Sequence, residues 1–270
     1  MKIYVLLPAF NEQESLPILL PKIDDVLKRA GYQYQLIICD DGSTDDTPIL
    51  IKEFSNKYPI HTITHTLNRG LGETSRDNFE SAALLSKDKD IIIRLDCDDT
   101  HEPEFIISMI KKVQEGNDVV IASRFEKGGG QKGVSTYRSF ISRGANLFMK
   151  LFFPIKGINE YSCGYRAYSS RIIRLAINEF GNSFIQLRGF GFTCTLEKLI
   201  KLQMLGAKIT EIPFILRYDK KKGPSKMITS VTTLGYFIMV ILNYWPWGGW
   251  RSQRKSKRIN TRRGIMKIGG

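Results

Sequence analysis

The sequence predicts an open α/β fold with a mostly parallel sheet, and two observations lead to this prediction. Short, continuous apolar runs rich in β-branched residues recur along the first half of the chain, as in strands that are buried on both faces. These runs alternate with segments of helical period, which is typical of a sheet flanked by helices. The strands are expected at Ile3–Leu7, Leu36–Cys39, Ile91–Leu95 and Val119–Ala122.

The segments between and after these strands predict helices and also locate the functional site. Each predicted strand runs directly into polar residues, which read PAFNE, DDGSTDDT, DCDDTH and SRF. Ligands of open α/β sheets bind outside the carboxyl ends of the strands, so the site is expected at these four strand ends. The helices are expected at Glu14–Ala30, Thr47–Lys57, Glu73–Ser86 and Pro103–Gln114.

The second half of the chain is less regular. It contains a glycine-rich loop at Lys127–Gly133, and the letters NEYSCGYRAY predict a turn. Helices are expected at Ile141–Phe153 and Thr193–Leu205, followed by one strand at Lys208–Leu216. No repeat at the periods of solenoid proteins is evident. Residues 1–226 are therefore interpreted as one catalytic domain.

Residues 227–250 form an uncharged appendage. Its solidly apolar part, Leu234–Leu242, is shorter than the roughly 20 residues that a membrane span needs, and Pro246 should end any helix. We expect an amphipathic helix that lies in the membrane interface with its tryptophans at headgroup level. A core or dimer helix with a solvated tail, and a single membrane span, remain as alternatives.

The excess of positive charge is concentrated in the last segment, the basic tail of residues 251–270. The chain has 40 lysines and arginines against 27 acids, a net charge of +13, and the tail holds eight basic residues and no acid. Such a tail points to an anionic surface. The nearby aromatics form one apolar block instead of alternating with the cations, so lipid is favoured over nucleic acid.

Composition excludes several classes of protein. With 42% hydrophobic residues the chain can bury a full core, so a disordered or collagen-like chain is excluded. Its four cysteines are scattered without C-x-x-C spacing, and with only three histidines they argue against a structural zinc site and indicate reduced thiols.

Asp96, Cys97 and Asp98 follow the third predicted strand. Two carboxylates with this spacing can converge on a divalent cation, because Mg²⁺ and Mn²⁺ prefer oxygen ligands and leave positions open for diphosphate oxygens. Such pairs also occur by chance, and Asp88 with Asp90 is a second one. Taken alone, the pair is better explained as two solvated loop acids.

The order of the motifs is more informative than this pair. The motifs LLPAFNE, CDDGSTDDT, NRGLG, LDCDDTHEPE, ASRF, YRSFISRGAN, YSCGYRAY and LRYDKKKGPSKM occur in one succession. This succession resembles the inverting family 2 glycosyltransferases of GT-A fold, in particular the dolichol-phosphate mannose synthase branch, which glycosylates a polyprenyl phosphate. The resemblance runs from about residue 3 to residue 227 and covers most of the chain.

The resemblance implies a nucleotide-sugar pocket and a metal site at the first strand ends. The residues expected to bind the nucleotide-sugar are Pro8, Phe10, Glu12, Cys39, Asp41 and Cys97. Mg²⁺ or Mn²⁺ is expected on Asp96, Asp98 and Thr100; relatives have Gln in place of Thr100, which puts only that third contact in doubt. His101 is either a further ligand or a partner of the carboxylates. The NRGLG loop either approaches a ligand or is a plain turn.

The resemblance also implies a site for the acceptor phosphate. Its expected residues are Arg124, Arg138, Ser142 and Lys220. Arginine suits this role because its planar fork pairs with phosphate oxygens. Lys220 stands where the family commonly has arginine. The compact ammonium of lysine therefore replaces the planar guanidinium of arginine at this position. Lys226 is expected to face the polyanionic ligands or the membrane.

The implied reaction is inverting transfer of a sugar from GDP-mannose or a UDP-hexose to a polyprenyl phosphate. Asp96, Asp98 and Arg124 are the expected catalytic residues, in a peripheral or monotopic enzyme on the cytoplasmic face of a membrane. A phosphate acceptor is already an anion and needs no general base, whereas a hydroxyl acceptor would require a carboxylate, Glu160 or Glu197. Glu160 is otherwise expected to tune the sugar pocket or to pair with Arg166.

Two alternatives to this reaction remain. The first is a family 2 transferase that acts on a hydroxyl acceptor of a glycan, and the second is a non-catalytic nucleotide- or nucleic-acid-binding module. The sequence leaves the base, the sugar and the oligomeric state open.

Overall fold

The computed structural model describes residues 1–223, 228–244 and 250. It confirms the predicted α/β class. The strands are β1 (Lys2–Ala9), β2 (Gln33–Asp40), β3 (Ile60–Thr64), β4 (Ile91–Arg94), β5 (Val119–Ser123), β6 (Gly130–Lys132), β7 (Arg166–Ser169), β8 (Ile209–Pro213) and β9 (Ile215–Arg217). The helices are α1 (Leu16–Arg29), α2 (Thr47–Phe54), α3 (Leu71–Leu85), α4 (Phe105–Gln114), α5 (Thr136–Phe152), α6 (Ser170–Phe180), α7 (Thr193–Met204) and α8 (Thr229–Asn243).

The main sheet has seven strands in the order β3-β2-β1-β4-β7-β5-β8. All of them run in one direction except β7, which pairs antiparallel with both β4 and β5. β6 and β9 form a separate parallel pair. The carboxyl ends of β1, β2, β4 and β5 therefore lie along one edge of the sheet, as the sequence predicts.

Apolar clusters cover both faces of this sheet, which explains the continuous apolar runs. In β1, Ile3, Val5 and Leu7 belong to one cluster, while Tyr4 and Leu6 belong to the other. Successive side chains of a strand point to opposite faces, so both faces of β1 are buried. The predicted strands correspond to β1, β2, β4 and β5, with small differences at their ends.

Several elements of the second half differ from the prediction. The motif NEYSCGYRAY is not only a turn, because its last residues begin β7. The single strand expected at Lys208–Leu216 is two strands, separated at the buried Phe214, whose N–H donates to the carbonyl of Ser123. α5 begins before the predicted Ile141, because Ser135 caps it by accepting a hydrogen bond from the Arg138 N–H. β3, β6 and α6 were not predicted.

The C-terminal appendage contains α8, which packs one face against the domain. Gly235 is essential for this packing, because a Cβ there would lie 2.3 Å from Thr193 Oγ1. Within the described ranges, no helix is long and apolar enough to cross a membrane. The basic tail and Lys226 lie outside the described residues, so the predictions made for them are untested.

Candidate active site

The loops after β1 and β2 are tied together into one wall of the site. The Asn11 N–H donates to Ser43 Oγ at 2.9 Å, and Asn11 Oδ1 accepts from the Thr44 N–H at 2.8 Å. Asn11 has a φ of 51°, a left-handed conformation that Asn tolerates better than most residues. The Glu12 N–H donates to Thr47 Oγ1 at 2.8 Å, which also ties this loop to the start of α2.

The predicted nucleotide-binding residues differ in how accessible they are. Pro8, Phe10 and Glu12 are half-buried along this wall. Cys39 and Cys97 are buried, Cys39 with its Sγ 3.6 Å from His65 Nε2 and Cys97 within one of the apolar clusters. Their thiols lie in the interior, so a contact with a donor would have to come from their main chain.

Asp41 anchors the NRGLG loop. Its carboxylate accepts the N–H groups of Arg69 at 2.9 Å and Gly70 at 2.8 Å, and lies 2.6 Å from His65 Nδ1. His65 Nε2 lies 2.9 Å from Asp77. Burial acts to lower the pKa of His65, but the two carboxylates outweigh burial and raise it. Asp41 therefore positions the loop, and sequence reasoning missed His65.

The glycines of this loop have a packing role. A Cβ at Gly72 would lie 2.1 Å from the carbonyl oxygen of Arg188, so only glycine fits there. Gly70, with a φ of 88°, stands directly before α3. The NRGLG loop was expected either to approach a ligand or to be a plain turn. At Gly72 the close approach is to the protein's own backbone.

The D-x-D motif lies just after β4, where each carboxylate contacts a cation. Arg94 Nη2 lies 2.6 Å from Asp96 Oδ1, and Lys221 forms an ion pair with Asp98 Oδ2. Burial acts to raise the pKa of Asp98, but the Lys221 ammonium outweighs it, so the pKa lies below its ordinary value. Asp98 is therefore a carboxylate at neutral pH. Sequence reasoning missed Arg94 and Lys221.

Thr100 and His101 shape the motif. The Thr100 hydroxyl donates to Asp98 Oδ1 at 2.6 Å, and His101 Nδ1 accepts the N–H of Asp96 at 3.0 Å. Burial lowers the pKa of His101 more than the nearby carboxylates raise it, so the ring is neutral and Nδ1 can accept. The ring stacks on Tyr165 at 5.0 Å. In the structure His101 holds the motif's main chain, and Thr100 orients Asp98.

The chemistry of this motif fits a divalent cation. Its carboxylate oxygens are hard ligands, and the ammonium on Asp98 shows that a positive charge is accommodated there. Over the part of the chain that is described, no group of three or more His, Cys, Asp or Glu side chains is arranged to hold a metal. A metal on Asp96 and Asp98 would therefore share its remaining positions with substrate oxygens and water.

Arg124, after β5, is fixed by a buried ion pair with Glu160. Its Nε lies 2.7 Å from Glu160 Oε2, and its Nη2 lies 2.9 Å from Oε1. The same Nη2 donates to Ser142 Oγ at 3.1 Å and to Ser162 Oγ at 2.8 Å. The structure thus brings together Arg124 and Ser142, as predicted for the acceptor site.

The expectation that Glu160 pairs with Arg166 is wrong. Arg166 is fully buried and donates to three main-chain carbonyls, those of Tyr161, Cys163 and Thr195. Burial acts to raise the pKa of Glu160, but Arg124 outweighs burial and lowers it. Glu160 is therefore ionised and paired with Arg124.

Glu197, the other acid considered as a base, is also engaged. It is fully buried, and its Oε2 accepts the N–H groups of Gln186 and Leu187, both at 2.9 Å. Its Oε1 pairs with Lys201. Glu197 therefore holds the segment before α7.

The segment that follows β9 links the two predicted subsites. Tyr218 accepts a hydrogen bond from Arg138 Nη1, and the Arg138 guanidinium lies 5.3 Å from the centre of its ring. Lys221, three residues later, reaches Asp98. Between them, Lys220 pairs with Glu102 in the loop after β4. Lys220 thus contacts the loop that follows β4, and Arg138 contacts the segment that carries Lys221. Among the described residues, neither forms a hydrogen bond or ion pair with Arg124.

The mostly parallel α/β sheet, with paired carboxylates and cations at its strand ends, has the architecture of a GT-A-like fold. Residues 4–178 match the family model "Glycosyl transferase family 2". The chain belongs to this family, which confirms the family predicted from the motif order.

Named relatives agree with this assignment, and a solved structure has a similar fold. A dolichol-phosphate mannosyltransferase of Pyrococcus furiosus is 30% identical over 92% of this chain, which spans 65% of that relative's length. An undecaprenyl-phosphate mannosyltransferase of Micrococcus luteus is 27% identical over 92% of this chain and 94% of its own. The fold is similar to that of glucosyl-3-phosphoglycerate synthase from Mycobacterium tuberculosis, crystallised with Mn²⁺ and UDP: the TM-score is 0.59 at 19% identity, covering 90% of this chain and 78% of that one.

Proposed function

We propose that the protein transfers a hexose, with inversion, from a nucleotide-diphosphate sugar to a polyprenyl phosphate. One observation carries the proposal: Tyr218 contacts Arg138 of the acceptor set, while Lys221 contacts Asp98 of the D-x-D motif. Tyr218 and Lys221 are three residues apart in the chain. The segment that holds them therefore lies between the cations suited to a lipid phosphate and the acids suited to a donor and its metal. The names of the two curated relatives support a polyprenyl-phosphate acceptor and make mannose the first sugar to test.

The engagement of the buried acids favours a phosphate over a hydroxyl acceptor. A hydroxyl nucleophile would need a carboxylate to take its proton. Glu160 is committed to Arg124 and Glu197 to two main-chain N–H groups and Lys201. A phosphate acceptor is already an anion, so the reaction proceeds without either acid acting as a base.

The acceptor phosphate is oriented by Arg124, Arg138 and Ser142. Because Ser142 Oγ accepts from Arg124 Nη2, its hydroxyl proton is directed elsewhere and is suited to donate to a phosphate oxygen. Arg138 supplies a cation one helical turn away on α5. Glu160 offsets part of the charge of Arg124, so Arg124 acts chiefly by fixing Ser142.

Asp96 and Asp98, with Thr100 as a third oxygen, would hold Mg²⁺ or Mn²⁺, and the ion would supply positive charge to the leaving diphosphate. The residues of the chain then set the geometry. Arg94 holds Asp96, and Thr100 holds Asp98, so that both carboxylates are pre-oriented. Because these carboxylates are already oriented, they need not reorganise when negative charge develops on the leaving diphosphate.

The acceptor is a membrane lipid, and the surface beside Ser142 suits a membrane. Four apolar side chains of α5 are more than 70% exposed: Tyr137, Phe140, Leu147 and Leu151. They recur at intervals of three, seven and four residues and therefore form one stripe. Leu234, Phe237 and Ile241 of α8 are more than half exposed, and Phe237 contacts Phe148 of α5 at 5.2 Å.

These seven apolar side chains are called the α5/α8 face below. Arg143 and Lys150 lie on α5 beside it and line a cavity of about 170 Å³ together with Leu147. Apolar side chains with adjacent cations favour an anionic bilayer surface. We therefore propose a peripheral enzyme whose α5/α8 face lies on the cytoplasmic leaflet of a membrane, because nucleotide-sugars are made in the cytosol.

A donor panel tests the proposed reaction. Purified full-length protein is incubated with GDP-mannose or UDP-hexoses, a short-chain polyprenyl phosphate, and Mg²⁺, Mn²⁺ or EDTA, and the lipid product is identified by mass spectrometry. We expect a glycosyl phosphate lipid from one donor, formed only with metal and absent in Asp98→Asn. Product formation that persists in EDTA would contradict the metal role, and the absence of a lipid product with every donor would contradict the proposed acceptor.

A further inference from the structure

Lys221 pairs with a carboxylate oxygen of the D-x-D motif that is suited to bind a divalent cation. Its ammonium pairs with Asp98 Oδ2, while the other oxygen, Oδ1, accepts the Thr100 hydroxyl at 2.6 Å. The side chain of Lys221 is 12% exposed and that of Asp98 is 17% exposed. The pair is therefore largely shielded from water, where a contact between charges is stronger than on the surface.

Other acids add to the attraction at this position. Glu12 from the loop after β1 and Asp96 from the same motif both act on the Lys221 ammonium. The lysine thus lies among three acids contributed by two strand ends. In the proposed reaction the same acids face the donor and its metal. The ammonium of Lys221 therefore supplies the positive charge that the metal would supply there.

A tethered ammonium and a free divalent cation compete for one oxygen. They cannot both lie against Asp98 Oδ2, since like charges repel strongly in a shielded site. Lys221 must therefore leave Asp98 before a metal binds there. When the donor is present, its diphosphate offers the released ammonium another anionic partner.

We infer that Lys221 is a built-in counter-ion that holds the metal position of Asp98 and is displaced when a divalent cation binds. This inference rests on the proposed function, because it takes Asp98 to be a metal ligand. It assigns a role to Lys221, which lies in the motif LRYDKKKGPSKM but is not among the expected site residues. It also makes metal affinity low without donor and higher with it, because the diphosphate lowers the cost of displacing Lys221.

Direct binding of Mn²⁺ tests the inference without any transfer reaction. Mn²⁺ is titrated into the full-length protein, free of nucleotide and lipid, and free Mn²⁺ is measured by electron paramagnetic resonance. Lys221→Met and Lys221→Gln remove the ammonium, and Lys221→Arg keeps a positive charge. Lys222→Met is the matched control, because it removes the charge of the exposed neighbouring lysine.

We expect Lys221→Met and Lys221→Gln to bind Mn²⁺ about tenfold more tightly than the unmodified protein, with Lys221→Arg and Lys222→Met unchanged. Adding Asp98→Asn to Lys221→Met should abolish the gain. We also expect GDP or UDP to raise Mn²⁺ affinity less in Lys221→Met than in the unmodified protein.

Equal Mn²⁺ affinity in the unmodified protein, Lys221→Met and Lys221→Gln would overturn the inference and leave the proposed function standing. An equal gain in Lys222→Met would also overturn it, because the effect would then follow net charge alone. Failure of every variant to bind Mn²⁺, even with nucleotide, would overturn the metal role of Asp98 and the inference with it.

Discussion

Arg124 and Glu160 form a two-point ion pair, with Nε 2.7 Å from Oε2 and Nη2 2.9 Å from Oε1. Glu160 is fully buried and also accepts the N–H groups of Ser162 and Cys163, each at 3.0 Å. This pair fixes the guanidinium that reaches Ser142. It also removes Glu160 from the set of acids that could act as a base.

Replacing Glu160 by Gln tests both roles of this pair. Removing one partner of a buried ion pair leaves the other uncompensated, so we expect the free energy of unfolding to fall by about 3 kcal/mol. Urea unfolding measures this loss. The residual transfer rate should keep the pH profile of the unmodified protein, because Glu160 takes no proton. Loss of an acidic limb from that profile would identify Glu160 as a base.

Asp98→Asn tests the D-x-D motif against the second pair of the same spacing. We expect transfer to fall by about 100-fold or more, the scale found when a group that stabilises developing charge is removed. Asp88→Asn is the control, because Asp88 belongs to the look-alike pair and, among the residues that the structure describes, pairs with Arg174 at the surface. Its transfer rate should be unchanged. Similar losses in both variants would show that the motif has no special role.

The cluster of His65, Asp41 and Asp77 should make stability depend on pH. The folded-state pKa of His65 is raised above its ordinary value by the two carboxylates, which outweigh burial. Its contribution is therefore fully present below the unfolded pKa of about 6.5 and is lost as pH rises through the folded pKa. We expect His65→Gln to cost about 1–2 kcal/mol at pH 5.5 and less at pH 9. Urea unfolding of both proteins across this range measures the difference, and a cost that is independent of pH would contradict the charged cluster.

The α5/α8 face should govern binding to lipid vesicles. Phe140→Glu with Leu147→Glu places two charges in the apolar stripe, and we expect binding to vesicles rich in phosphatidylglycerol to weaken about tenfold. Leu84→Glu is the control, because Leu84 is 87% exposed on α3 and lies outside this face. Co-sedimentation measures the bound fraction. Equal binding of all three proteins would exclude this face as the membrane contact.

The sequence predicts the sheet well where local patterns decide it. β1, β2, β4 and β5 are buried on both faces, so their apolar runs are continuous and easy to recognise. β7 was missed because it is only four residues long and begins with Arg166, a charged residue whose guanidinium is buried against main-chain carbonyls of Tyr161, Cys163 and Thr195. β3 was missed because it is a short edge strand with polar residues at three of its five positions.

The site was predicted in its location and only partly in its contacts. The strand ends and the D-x-D motif are local features of the sequence. The partners of the charges are not: Lys221 and Asp98 are 123 residues apart, and Arg124 and Glu160 are 36 apart. Pairing over such distances depends on the path of the chain after β9 and before β7. Sequence reasoning therefore gave Glu160 the wrong arginine and overlooked Lys221.

The most direct test of the central claim compares two acceptors of the same chain length, a polyprenyl phosphate and the corresponding free polyprenol. With the preferred donor and saturating Mn²⁺ or Mg²⁺, we expect a glycosyl phosphate lipid of inverted anomeric configuration from the phosphate and none from the alcohol. Transfer to the polyprenol at a comparable rate would contradict the account, because the acids that could serve as its base are engaged with Arg124 and with Lys201.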